Sequence, residues 1–428
     1  MGSEDKEIST VIRVREFIVE KDLAAVEELE RRCQVGLSGD LGDDGHGGGG
    51  GGGGGGGCAT SKKKKKKKRG MSLHVEQIGD PFARVRHATE HAMLVAEYGE
   101  EDEVVGVIKA CVRMVSRGDT SSSCCCKRKM KFVKVACLLG LRVSPSHRRL
   151  GIATELVRRA EAWCEARGAA YATMATTASN VASLALFAGR FAYAPFRRPL
   201  FLGHPVHRHR TRLPRAHRVM QLPPQIATAA YAALLSPAGA AEFVPADLPA
   251  LLAHKLTLGT YLAIERNPDP ALPPSFAVLS IWDATRSLRL RVGGAPPLLR
   301  ASLAAARALD RHAPWLRVPS VPDVFRPFGT YLLYGLRMSG PAGPALLRSL
   351  CRHAHNIARK NLACAVVAAD LGPNDPAGAA VPHWDSFSCD EDVWCMKKLN
   401  ASTANSNASD DWTTAPPAGV LFVDPREF

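Results

Sequence analysis

The chain has 428 residues, of which 46% are apolar, and carries a formal net charge of +15. That length exceeds what one compact core holds, so two domains are expected. Residues 62–69 supply a continuous run of Lys and Arg that accounts for much of the excess; the rest is too mildly basic for net charge alone to make the folded part a nucleic-acid binder. The 12 cysteines are scattered, with one triplet at Cys124, Cys125 and Cys126 and no Cys-x-x-Cys pair. That usage fits reduced thiols in the nucleus or, second, the cytoplasm better than a disulfide framework.

Residues 1–9 form an acidic, polar tail without the character of a secretory signal. Lys6 stands where a myristoylation site needs Ser or Thr. Residues 11–19 alternate as a strand, and Asp22 can cap a helix running to Cys33. The insert 36–72 holds a glycine tract and the basic run; neither can bury apolar surface, so the insert is expected to be disordered. The run 62–69 reads as a nuclear localisation signal or a weak polyanion contact, against a merely solvated insert. Residues 79–88 fit a short helix, 93–98 and 104–115 strands, and 116–131 a hairpin insert. Residues 135–143 form an apolar strand that Pro145 ends. A short basic loop follows, then a helix with Ile152, Leu156, Ala160 and Trp163 on one face and Gly168 after its last turn. Residues 170–176 are a strand, 180–187 a short helix and 191–202 a last strand. The uncharged stretch 168–189 is long enough to cross a bilayer, but its Thr, Ser and Asn content argues for buried strand and helix, and no membrane association is expected.

From residue 210 the order begins again. Strands are expected at 217–222, 260–265, 276–283, 331–338, 363–369, 393–399 and 420–423, helices at 225–235, 245–256, 298–309 and 345–360, and a flexible loop at 400–415. The chain therefore divides into domains 10–209 and 210–428, each a mixed, mostly antiparallel sheet with flanking helices: α+β, three layers, in tandem.

The loop after residue 143 carries the chemistry. Arg149, Leu150, Gly151, Ile152, Ala153 and Thr154 all keep their N–H, at a helix start where the dipole favours an anion. Arg148 adds a fixed charge. Arg148-x-x-Gly151-x-Ala153 resembles the (Gln/Arg)-x-x-Gly-x-(Gly/Ala) loop of the GNAT (Gcn5-related) acetyltransferases. The segments VIRVREF, GDPFARVRH, LFAGRFAYAPFRRP, HKLTLGTYLAI, SLCRHAHNIA and CDEDVWCMKKL are similar to those of the plant Hookless-type probable N-acetyltransferases, across most of the chain outside the low-complexity inserts. The resemblance implies acetyl-CoA as cosubstrate, with its pyrophosphate on this loop, its arm along the backbone of Leu141 to Val143, and Asn180 as a further ligand of the arm or, equally, a helix cap. It implies acetyl transfer to a primary amine, of which a protein lysine or histone tail is one class, and a part in hormone-regulated plant growth.

Catalytic groups are sparser. Strand 135–143 has no carboxylate to act as base; Glu97 on an earlier strand is the weak candidate, against a solvated carboxylate. Where the family often has a tyrosine acid, Leu186-Phe187 stands, and Tyr193 lies nearby. In the second half, Gly340-Pro341-Ala342-Gly343-Pro344-Ala345 aligns with the loop, but two prolines delete donors and Gly340 replaces the arginine, so no CoA binding is expected there. His383, Cys389 and Cys395 lack zinc-site spacing, and no metal site is expected; His353 and His355 read as structural. The competing function is a regulatory or adaptor protein that kept the fold and lost turnover.

Overall fold

The computed structural model describes residues 12–33, 35–36, 72–76, 81–100, 102–118, 131–235, 241–318, 320–389, 392–399 and 411–427. In chain order the first part runs β1 (Ile12–Glu16), α1 (Val19–Arg32), β2 (Val35–Gly36), β3 (Ser72–Glu76), β4 (Glu90–Tyr98), β5 (Glu103–Ser116), β6 (Phe132–Val143), α2 (Ile152–Glu165), β7 (Tyr171–Thr177), α3 (Val181–Leu184), β8 (Ala194–Arg197) and β9 (Leu200–Pro205). The second runs β10 (His217–Leu222), α4 (Pro224–Leu235), α5 (Leu248–Leu252), β11 (Thr257–Glu265), β12 (Phe276–Asp283), β13 (Arg289–Gly293), α6 (Pro297–His312), β14 (Phe328–Ser339), α7 (Gly343–Ala358), β15 (Cys364–Leu371) and β16 (Asp392–Lys398).

Two sheets result. The first has the order β1-β4-β5-β6-β7-β16-β8, with β6 and β7 parallel. The apolar stripe of α2 (Leu156, Val157, Ala160, Cys164) packs with Ile108, Ala136 and Leu138. On the opposite side Val26 and Leu29 of α1 meet Met93, Val95 and Val107. Each large apolar side chain so buried stabilises by roughly 1.5–3 kcal/mol, which is why both helices hold to the sheet. The second sheet repeats this plan: β10-β11-β12-β14, then β15 parallel to β14, then β9, with β13, β3 and β2 continuing from β14. α7 lies in the core of one face, α4 and α5 in that of the other.

The sheets exchange their last strands. β9, from the first half, pairs β15 from Val366↔Pro205 to Leu371↔Leu200. β16, from the second half, pairs β7 from Asp392↔Thr177 to Lys398↔Tyr171. A cut at residue 209 thus divides the sequence but not the sheets. The strand expected at 191–202 is two strands, β8 and β9, which separate before Pro199 and join different sheets.

Other expectations are corrected. Residues 81–87 form consecutive turns rather than a helix; Phe82, Val85 and Ala88 tuck against Cys111, Cys137 and Leu139 instead. The ends of the 36–72 insert, Gly36 and Ser72, belong to the β2–β3 pair, while its glycine and lysine tracts lie outside the described residues, as does most of 116–131. Ser116 itself is buried, donating to the Ala241 carbonyl and accepting from Val244 N–H. In 400–415, Trp412 is fully buried against Tyr171 and Phe196, so that end of the loop is anchored. Residues 420–423 form a single bridge, Glu242↔Leu421, rather than a strand. β13 went unseen in the sequence. No helix among the described residues is long and apolar enough to cross a membrane.

Candidate active site

The site begins with a bulge. Opposite β5, the register of β6 shifts between Val107↔Arg142 and Lys109↔Leu139, leaving an extra residue on β6. Gly140 takes the left-handed φ of +65° there, and a Cβ on it would lie 3.2 Å from Lys109 Cδ. Bulges bend the strand that carries them. The parallel ladder between β6 and β7 ends at Leu138↔Met174, although β6 continues through Val143 and β7 through Thr177. Beyond Leu138 the two strands have parted, and their facing main-chain edges line a wedge. Leu141 and Val143 lie on this free stretch with their side chains packed toward the α2 core.

The wedge leads to the loop. Pro145–His147 makes one 3-10 turn; Arg149 and Gly151 then take φ of +68° and +86°. A Cβ on Gly151 would meet only Ile12 Cδ1, at 3.8 Å, so glycine is needed for the conformation and not for space. α2 starts at Ile152, with Glu155 N–H the first to bond back, to the Gly151 carbonyl. Among the described residues, none of the N–H groups of Arg149, Leu150, Gly151, Ile152, Ala153 and Thr154 has a protein acceptor. Arg148, Arg149 and Leu150 are exposed, and among the described residues neither arginine is in an ion pair. Beneath them Ile152 and Leu156 close on Gly106, where a Cβ would sit 2.9 Å from each. The helix start is thus fixed from below, and its unpaired amides and dipole lie behind the exposed segment Arg148 to Gly151. That is the donor set a diphosphate needs.

The remaining sequence candidates make contacts within the protein. Asn180 caps α3, its Oδ1 accepting from Ser183 N–H at 3.1 Å. Phe187 is buried, and Tyr193, 1% exposed, stacks edge-on against it with ring centroids 5.2 Å apart. Burial, together with the charge of Glu161, pushes the Tyr193 pKa well above that of an ordinary phenol. Its hydroxyl points into the core. Glu97 is 1% exposed and held by Arg13, Arg15 and Lys21 at 2.9, 2.6 and 2.8 Å. Burial pushes its pKa up, but hydrogen bonds from Arg15, Lys21 and Arg13 outweigh that and hold it at about 2. Far from being a solvated carboxylate, it is an ionised hub tying β1 and α1 to β4, and a group so acidic is a poor proton acceptor at neutral pH.

Sequence reasoning missed the opposite, α1-side face of the wedge. Lys109 Nζ, fully buried, donates to Glu30 at 2.5 Å; burial lowers its pKa to about 8 although Glu30 opposes this. A lone lysine within an apolar strand was the available signal. The Cys33 thiol donates to the Val143 carbonyl at 3.4 Å. Cys111 and Cys137 are register partners here. The turn Pro425–Glu427 covers the same face of β5 farther along, where Arg113 pairs with Val135. Arg84 Nε donates to the Glu427 carbonyl at 2.8 Å, and Arg113 pairs with Asp424 and Glu427 at 3.1 and 3.3 Å. Glu427 remains 27% exposed, and burial raises its pKa even though Arg113 opposes it. No local pattern could have brought residue 427 to β5.

The second half has the same bulge, with Gly335 at φ +63° where β12 meets β14. Its loop is closed, however. Ala342 N–H bonds Ser275 Oγ at 3.1 Å and Gly343 N–H bonds the Gly340 carbonyl at 3.0 Å, while Pro341 and Pro344 have none to offer. The gap beside Gly335 is bounded by Asp370, Leu371 and the chain's own residues 420–423.

Comparison with known proteins agrees with the open loop. Residues 68–193 match the acetyltransferase (GNAT) family. The chain is 70% identical over 432 residues to "Acetyl transferase GW6a" of Oryza sativa subsp. japonica, covering 98% of both. It is 38% identical over 448 residues to "Probable N-acetyltransferase HLS1-like" of Arabidopsis thaliana, covering 98% of this chain and 100% of that one. To "Probable N-acetyltransferase HLS1" of the same plant it is 39% identical over 435 residues, covering 97% and 99%. A solved GCN5-related N-acetyltransferase from Kribbella flavida covers 93% of this chain and 73% of its own at 14% identity and a TM-score of 0.43, too distant to carry weight. Acetyl-CoA is the donor such enzymes use, and the unpaired amides of residues 149–154 fit its diphosphate. The chain is a GNAT acetyltransferase, one of the plant N-acetyltransferases similar to HLS1.

Proposed function

We propose that the first half acetylates a primary amine of a protein lysine, a histone tail being one such acceptor, and that the amine enters from the α1-side face of the wedge. One observation carries the proposal: the open amide cradle at 149–154 continues into the parted edges of β6 and β7, so a ligand anchored on the loop extends between the strands. Acetyl-CoA supplies an activated thioester. Arg148 and the loop amides bind its diphosphate, and the backbone of Leu141 to Val143, unpaired with β7, orients its arm. Glu427, with its raised pKa and partial exposure on the same face of β5, receives the amine's proton through water. Thiol release measured with lysine peptides, free lysine and small polyamines tests the acceptor class. Equal or better turnover of the small amines would remove the protein-lysine reading. Glu427→Gln should lower kcat by about 100-fold and remove the acidic limb of the pH profile; an unchanged limb assigns the base elsewhere.

A regulatory reading is favoured by the missing tyrosine acid: Phe187 stands in the expected place and the Tyr193 hydroxyl is buried. CoA binding without thiol release from any amine would support it. We place the protein in the nucleus on the strength of the run 62–69, in a role in plant growth; a fluorescent fusion lacking that run should lose nuclear accumulation.

A further inference from the structure

A second charged surface lies away from the wedge, on the second half. After β9 the chain crosses α7 antiparallel to it and is bonded along its length. His207 N–H donates to His355 Nε2 at 3.1 Å, and Thr211 exchanges bonds with Asn356 at 2.9 and 2.8 Å. His217 Nδ1 lies 2.7 Å from Ser349 Oγ, and Arg359 Nη1 donates to the Arg208 carbonyl at 3.3 Å. The crossing segment exposes Arg208, Arg210, Arg212 and Arg215; the helix and its end expose Arg348, Arg352 and Lys360. At about 100° per residue, Arg348, Arg352 and Arg359 fall within about 40° of one another. Their stripe lies between His355 and Asn356, which both hold the crossing segment. The two rows therefore share one face. Residues 203–218 and 341–363 contain no Asp or Glu. Among the described residues none of these seven exposed cations is in an ion pair.

We propose that this face binds the phosphate backbone of double-stranded nucleic acid. The rows are mutually fixed by hydrogen bonds and run for about 15 Å along the helix, and a duplex presents a charge about every 1.7 Å of its axis. Arginine dominates both rows and matches phosphate with paired donors. The chain's overall charge conceals the feature, because acidic residues elsewhere offset it. The proposal is independent of the acetyl-transfer reading.

The test is fluorescence anisotropy of a labelled duplex of about 20 base pairs, titrated with the full chain and with the same chain lacking residues 62–69, between roughly 50 and 200 mM salt. Both chains should bind regardless of duplex sequence, with affinity falling steeply with salt. Arg208→Ala with Arg212→Ala and Arg352→Ala should weaken binding at least tenfold and reduce the salt slope by about three. Melting temperature and CoA-induced thermal shift should stay unchanged. Arg215→Ala with Arg348→Ala, a separate pair, should reduce the slope by about two. Absence of binding, binding lost with residues 62–69 yet untouched by the arginine variants, or equal competition by polyglutamate at matched charge would each overturn the proposal.

Discussion

The two halves of the chain build the same bulge, the same parallel strand pair and the same helix after it, yet only one ends in a row of unpaired amides. At 149–154 the amides are free, Gly151 has open space above it and an arginine stands beside them. At 340–345 two prolines remove donors, Ser275 and the Gly340 carbonyl take two others, and residues 420–423 border the gap beside Gly335. Fold therefore does not separate the halves; unpaired main-chain hydrogen at a helix start does. The second half keeps the architecture and uses it for cohesion, supplying β16 to the first sheet and the Glu427 turn to β5 beside Arg113.

The sharpest way to break that contrast is Gly151→Asp. It places a negative charge and a disfavoured φ in the cradle, disturbing several bonds worth roughly 1.5–3 kcal/mol each, so CoA affinity measured by calorimetry should fall by at least about 100-fold. Next is a matched pair of alanines. Gly340→Ala, at φ +76°, puts Cβ 2.5 Å from Ser275 Oγ; it should cost about 2–3 kcal/mol of stability in urea unfolding while leaving CoA affinity intact. Gly151→Ala meets nothing closer than 3.8 Å; it should cost only about 1–2 kcal/mol of stability but weaken CoA. If the two exchanged phenotypes, the division of labour between the halves would be wrong. Arg148→Ala should raise the Kd for CoA by about 10–100-fold, an effect that shrinks with salt.

The smallest effect concerns Glu97. Its folded pKa, near 2, lies below the ordinary 4.5, so the unfolded chain binds the extra proton between those values. The group's stabilisation is thus complete above about pH 4.5 and lost as pH falls toward 2. Glu97→Gln should flatten that acid limb and lower neutral stability by about 1–2 kcal/mol, discounted because Arg13 and Lys21 are half-exposed. The pH–rate profile above pH 6 should not move; a shift there would return Glu97 to the chemistry.

What could be read from the sequence follows the range of the interactions. The open loop at 149–154 was legible as a strand–loop–helix turn with unpaired donors because those donors, its glycine and its arginine are neighbours in sequence, and the strands around it alternate. The bulge at Gly140 had only the weak sign of a glycine within a strand. Glu97 was misjudged as a free surface carboxylate because its three cations come from residues 13–21, whose pairing with β4 is a tertiary event. The exchange of β9 and β16, and the arrival of Glu427 beside Arg113, depend on strand pairing across hundreds of residues, for which periodicity carries no information. The basic face of α7 was hidden similarly: its arginines occur in two segments far apart in sequence.

The most direct test is calorimetric titration of CoA into the full chain and into Gly151→Asp. One site per chain, absent from the variant while the variant's unfolding transition survives, is the predicted result. Two sites per chain, or one that Gly151→Asp leaves unchanged, would contradict the assignment of binding to the open amides around residue 151.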